Sequence, residues 1–132
     1  MNRRTAALLA LFLLLAGCGT NTMENDTMEK KTYQQITQEK AKNMIDSQDV
    51  IILDVREQHE FDAAHIPNAV LLPVGTIAEE TAAAVIPEKD SVVLVYCRSG
   101  NRSKTASAAL CELGYSQVYE FGGINTWPYE VE

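Results

Sequence analysis

Cys97 is the residue of this chain best placed to do covalent chemistry. It closes the apolar run Val92 to Tyr96 and is followed by Arg98, Ser99, Gly100, Asn101, Arg102 and Ser103. If a helix begins beyond those residues, the segment is a strand–loop–helix turn, and such turns at the carboxyl edge of a parallel sheet hold ligands. Successive backbone N–H groups at a helix start favour an anion. Cysteine reacts as thiolate, and its pKa falls near a helix N-terminus or near cations; Arg98 and Arg102 place two cations within five residues of it. The expectation is an acidified, exposed thiol that acts as a nucleophile. A lone cysteine is more often a small core residue, and it is the polar loop with its glycine and paired arginines that sets Cys97 apart.

The elements that must hold this turn can be read from the apolar runs Val50 to Leu53, Val70 to Leu72, Val92 to Tyr96 and Val118 to Phe121, each of strand length. Their apolarity is continuous rather than alternating, which predicts strands covered on both faces, and the intervals between them can hold crossover helices. The fold class is therefore α/β, with a mostly parallel sheet flanked by helices. Thr37 is placed to cap a helix reaching Ser47, with Ala41, Met44 and Ile45 as its inward stripe. Thr76 is placed to cap another reaching Val85. A third helix is expected after Arg102, with Ala106, Leu110 and Leu113 at helical spacing and Gly114 as its stop.

The 132 residues suit one domain. Arg3 and Arg4 precede an apolar run from Ala6 to Leu15, long enough for a signal-peptide core and short for a membrane span. Its end, Leu15-Ala16-Gly17-Cys18, resembles a bacterial lipobox, which implies acylation of Cys18 and removal of residues 1–17. Residues 18–31 then form a polar tether, and residues 32–132 the domain. Loss of Arg3 and Arg4 takes the formal net charge from -7 to -9, chain ends aside. An acidic domain repels nucleic acid and anionic lipid, so an anionic substrate must be caught by local donors. The three cysteines, Cys18, Cys97 and Cys111, are too few for a disulfide scaffold, and no Cys-x-x-Cys or histidine cluster suggests a metal. No cofactor is expected. Cys111 lies nine residues beyond Arg102, about 13 Å along a helix, which is too far for a resolving thiol and reads as helix packing.

The segment Cys97 to Ser103 resembles the active-site loop of single-domain rhodaneses in length and character. Upstream, Leu53-Asp54-Val55-Arg56-Glu57, Glu60-Phe61 and His65-Ile66-Pro67 with Ala69 are similar to further motifs of that family, in the same order. So is the closing stretch Gly114-Tyr115, Val118-Tyr119, Gly122-Gly123-Ile124 and Trp127. Ala64 and Asn68 depart from the pattern, standing where the family favours glycine. The resemblance implies a three-layer rhodanese-like domain over roughly residues 32–127 and a ping-pong sulfur transfer. Cys97 takes a sulfane sulfur from a donor such as thiosulfate, becomes a persulfide, and passes the outer sulfur to a thiol or cyanide. On that reading the amides of Arg98 through Ser103 surround the persulfide anion. Arg98 and Arg102 bind an anionic donor, unless Arg102 is tied down elsewhere. Asp54 and Arg56 form a structural ion pair supporting the loop. His65 bonds backbone in a turn, His59 is an exposed helix residue, and Trp127 packs in the core.

Two other functions fit the same fold. A rhodanese-like phosphatase or arsenate reductase places arginine six positions after its cysteine, where this chain has Ser103; Arg102 comes five after Cys97. A non-catalytic sulfur-binding or partner-docking module would have no need of Cys97 and its intact loop.

Overall fold

The computed structural model describes residues 32–132. The expected signal segment 1–17, lipidation at Cys18 and tether 18–31 lie outside the described residues. Five strands, β1 (Gln34–Gln35), β2 (Ile51–Asp54), β3 (Val70–Leu71), β4 (Val92–Cys97) and β5 (Gln117–Gly123), form one parallel sheet in the order β1-β5-β4-β2-β3. Four helices, α1 (Gln38–Ser47), α2 (Gln58–Ala63), α3 (Glu79–Val85) and α4 (Asn101–Glu112), complete the α/β domain. Among the described residues no helix is long and apolar enough to cross a membrane.

The continuous apolarity of β4 has the expected cause. Val93, Val95 and Cys97 join Leu53, Val55, Ala82, Ile86, Ala106 and Leu110 in a core on one face, under α3 and α4. Leu94 and Tyr96 join Ile52, Ala41, Met44, Phe121 and Trp127 on the other, under α1. A strand buried on both faces has no position left for a polar residue.

Thr37 caps α1 by accepting from the Lys40 amide at 3.0 Å. Ala41 and Met44 are buried, and Ile45 packs at their edge. Thr76 does not cap α3. It ends a short 3-10 turn, Val74–Thr76, where its hydroxyl donates to the Pro73 carbonyl at 2.8 Å. Ala78 is the cap residue of α3, and its amide donates to Thr81 Oγ1 at 2.9 Å. Helix α4 starts at Asn101 rather than beyond Arg102, because Gly100 at φ 111° turns the chain into the helix directly. Its far end follows the expected rule, with Gly114 at φ 97° just past the last turn. Asn68, the departure from the family's glycine, sits at φ 68°. Asparagine tolerates that left-handed conformation better than other side chains, so the turn keeps its shape. Ala64 is extended, at φ -169°, and needs no glycine.

Candidate active site

Cys97 ends β4 opposite Gly123 of β5. The Gly100 amide donates to its Sγ at 3.0 Å, and the Ser103 hydroxyl lies 3.4 Å from the same sulfur. Burial opposes ionisation of the thiol. The hydrogen bond with the Ser103 side chain and those from the Ser103, Gly100 and Ser99 amides outweigh it and hold Cys97 below the ordinary cysteine pKa. The expected exposure is corrected: Cys97 is 1 % exposed. The loop curls its amides over the sulfur, so the features that acidify the thiol also cover it.

Two glycines make this curl possible. Gly100 adopts the left-handed conformation that side-chain-bearing residues avoid. A Cβ on Gly123 would collide with the backbone carbonyl of Arg98. That carbonyl also accepts from the Asn125 amide at 3.1 Å, which ties the loop to the segment after β5.

The two arginines part company. Arg98 is exposed and, among the described residues, makes no ion pair. It lines an open cleft of about 550 Å³ with Arg56, Glu60, Ala64, Asn125 and Trp127. Arg102 is committed elsewhere. Its two terminal nitrogens donate to the two Glu60 oxygens at 2.7 and 2.8 Å, and Glu60 Oε2 also accepts from the Glu57 amide at 2.9 Å. The Arg102 hydrogen bonds, aided by the Glu57 amide, pull the Glu60 carboxyl down to about 2. Arg102 is thus tied down, the alternative that the sequence left open: its charge is paired, and it links the first turn of α4 to α2. Asn101 is exposed, and Ser103 is buried beneath the sulfur.

Asp54 and Arg56 are both buried and paired, with Arg56 Nη2 2.7 Å from Asp54 Oδ2. Asp54 also receives the Tyr96 hydroxyl at 2.6 Å, Tyr96 in turn accepts from the Ile66 amide at 3.1 Å, and Arg56 donates to the Ala64 carbonyl at 2.6 Å. The pair thus fixes the end of β4 and the turn at residues 64–66, and among the described residues it makes no hydrogen bond to residues 98–103. It supports Cys97 through its chain neighbour Tyr96. Truncating Arg56 would strand a buried carboxylate at a cost of about 3–5 kcal/mol.

His65 stacks on Phe61 with ring centroids 3.8 Å apart, its Nδ1 is 2.8 Å from the Phe61 carbonyl, and its Nε2 lies 3.2 Å from Glu132 Oε1. Trp127 packs against Phe121 and Tyr129 and also borders the cleft. Cys111 is half-buried in the packing of α4, and burial pushes its thiol up.

The sequence reading passed over Glu120. This carboxylate is 3 % exposed and accepts from Ser103 Oγ at 2.7 Å and from the Gly122 amide at 2.8 Å. Its signal was available: a single acidic residue within Val118 to Phe121, a run whose apolarity implies burial on both faces.

The sheet, the loop and the sulfur environment define a class, and the comparisons with known proteins agree with it. Residues 37–129 match the Rhodanese-like domain family, and the chain belongs to that family. It is 35% identical over 96 residues to thiosulfate sulfurtransferase GlpE of Coxiella burnetii, covering 72% of this chain and 87% of that one. It is 39% identical over 88 residues to a sulfurtransferase of Allochromatium vinosum, covering 66% and 79%. A crystal structure of a rhodanese-related protein from Thermoplasma volcanium superimposes with a TM-score of 0.63 at 32% identity, covering 76% of this chain and 98% of that one.

Proposed function

We propose that the protein is a sulfurtransferase that carries sulfane sulfur as a persulfide on Cys97. The observation that carries this reading is the Gly100 amide 3.0 Å from Cys97 Sγ, with the Ser99 and Ser103 amides directed at the same sulfur. In the first half-reaction the Cys97 thiolate attacks the outer sulfur of thiosulfate. A new S–S bond forms, the donor's S–S bond breaks, and sulfite leaves with the electron pair. The persulfide anion then rests among donors that are already oriented for it, so little reorganisation is needed. In the second half-reaction cyanide or an acceptor thiolate takes the outer sulfur, and Cys97 departs as thiolate. Arg98, at the cleft and without an ion-pair partner among the described residues, is the side chain suited to meet an anionic donor.

A phosphatase reading is disfavoured by what stands six positions after Cys97. Ser103 offers no positive charge there to meet the equatorial oxygens of a phosphoryl group. Thiosulfate:cyanide sulfur transfer tests the proposal. Activity that is lost in Cys97→Ser supports it, and full activity in that variant refutes it.

The same reading includes anchoring through a lipidated Cys18, since two acyl chains hold a protein at a membrane where one does not. Fractionation of Cys18→Ala decides this: soluble, active protein is expected, whereas a variant that stays with the membrane after processing would contradict it.

A further inference from the structure

Glu120 is a buried carboxylate. Among the described residues no arginine, lysine or histidine is within ion-pair distance of it. Oε1 accepts from Ser103 Oγ and the Gly122 amide, and Oε2 receives only a long bond, 3.4 Å, from Gln35 Nε2. Burying a charge on such terms is costly, and the transfer chemistry above leaves it without a task.

On the far side of Ser103 lies the Cys97 sulfur, 3.4 Å from the same Oγ. A serine hydroxyl has one proton to give and lone pairs to receive another. The 2.7 Å contact to a carboxylate makes Ser103 the donor to Glu120, so a lone pair faces Cys97 and the thiol donates into it.

We propose that Glu120 is the proton acceptor for Cys97, working through the Ser103 hydroxyl, so that the buried trio carries one negative charge that moves between carboxylate and sulfur. The thiol S–H bond breaks as an O–H bond forms on Ser103, and the proton previously on Ser103 passes to Glu120 Oε1. Cys97 is then a thiolate that receives the Ser103 hydroxyl bond, and Glu120 is a neutral acid. Attack on thiosulfate gives the persulfide anion and sulfite while the proton stays on Glu120. When the acceptor removes the outer sulfur, the thiolate recovers its proton by the reverse route. Ionising both groups would set two buried anions on either side of one oxygen atom, which their repulsion opposes. The groups that face Glu120 are Cys97 of β4 across Ser103, Ser103 itself, Gln35 of β1 and the Gly122 amide of β5; Glu120 also lines a second, open cleft, distinct from that of Arg98, which the exposed Lys104 of α4 borders.

The catalytic cycle in this inference rests on the sulfurtransferase reading, whereas the proton exchange needs only the Cys97 thiol, and the test separates them. Infrared difference spectra of the full chain are recorded before and after treatment with thiosulfate, with mass spectrometry to count added sulfur. One sulfur gained together with a new protonated-carboxyl band, absent in Glu120→Gln and in Ser103→Ala, supports the relay. One sulfur gained without that band in the wild type overturns the relay and leaves sulfur transfer standing. If no sulfur is gained, the transfer reading fails, and iodoacetamide alkylation of Cys97 against pH judges the relay. A shared proton gives a two-step rise in the wild type and a single step in Glu120→Gln; a single step in both overturns it. In steady state Glu120→Gln should lower kcat by roughly 100-fold with little change in KM. An unchanged kcat would also count against the relay.

Discussion

Glu60 and Arg102 face each other across the first turns of α2 and α4 with both guanidinium–carboxylate bonds made, at 2.7 and 2.8 Å. This two-point contact joins the Cys97 loop to the helix before the cleft. The Glu60 carboxyl titrates near 2 instead of its ordinary 4.5, so its contribution to stability is present above pH 4.5 and is lost as pH falls from there toward 2. The pair is partly exposed, and screening limits its worth to about 1 kcal/mol. Glu60→Gln should therefore be less stable than the wild type by about that amount at neutral pH, and urea titrations should show the difference vanishing as pH approaches 2. A difference that persists unchanged in acid would mean that the loss has another cause.

Gly123 leaves room for the Arg98 carbonyl, and no side chain can share that space. Gly123→Ala should push the loop off the sulfur. Sulfur transfer should fall by at least tenfold, and Cys97 should alkylate at higher pH than in the wild type, since the lost amide contacts are those that acidify it. An alanine variant with wild-type activity and wild-type alkylation would show that the strand–loop contact is not what shapes the site.

Ser107 is buried in α4, and its hydroxyl has no hydrogen-bond partner among the described residues. Removing an unsatisfied buried hydroxyl relieves a desolvation penalty of about 1 kcal/mol. Ser107→Ala should raise the melting temperature by about 4–8 °C for a domain of this size. A lower melting temperature would mean that the hydroxyl has a partner in solution.

Cys97 and Cys111 differ in the direction in which their surroundings push them: the amides and Ser103 lower the first against the opposition of burial, and burial raises the second. Near pH 7 a small reagent such as iodoacetamide should therefore modify Cys97 first, as read by peptide mapping. Faster labelling of Cys111 would reverse the assignment.

How much of this was legible beforehand depended on whether the controlling interaction is local. The strands of the sheet core were visible because burial on both faces leaves a continuous apolar mark, and Thr37 was visible because a cap acts over three residues. Strand β1 was not, since Gln34 and Gln35 join the sheet edge through backbone pairing with β5 and leave no apolar mark. Cys97 was identifiable as a nucleophile candidate from its turn, but its burial arises from the way the loop folds back over the sulfur. Whether Arg102 is free or tied down stayed open, because its partner, Glu60, stands 42 residues away. Glu120 carried a readable sign, a charge in a strand that should have none, but only the fold shows that Ser103 joins it to the sulfur.

The most direct test of the central claim is the intact mass of the full chain after exposure to thiosulfate, compared with its turnover of an aryl phosphate. A gain of one sulfur on Cys97, discharged by cyanide and absent in Cys97→Ser, is the predicted result, with no phosphate-ester hydrolysis. Efficient phosphate-ester turnover with no sulfur gained on Cys97 would contradict the account.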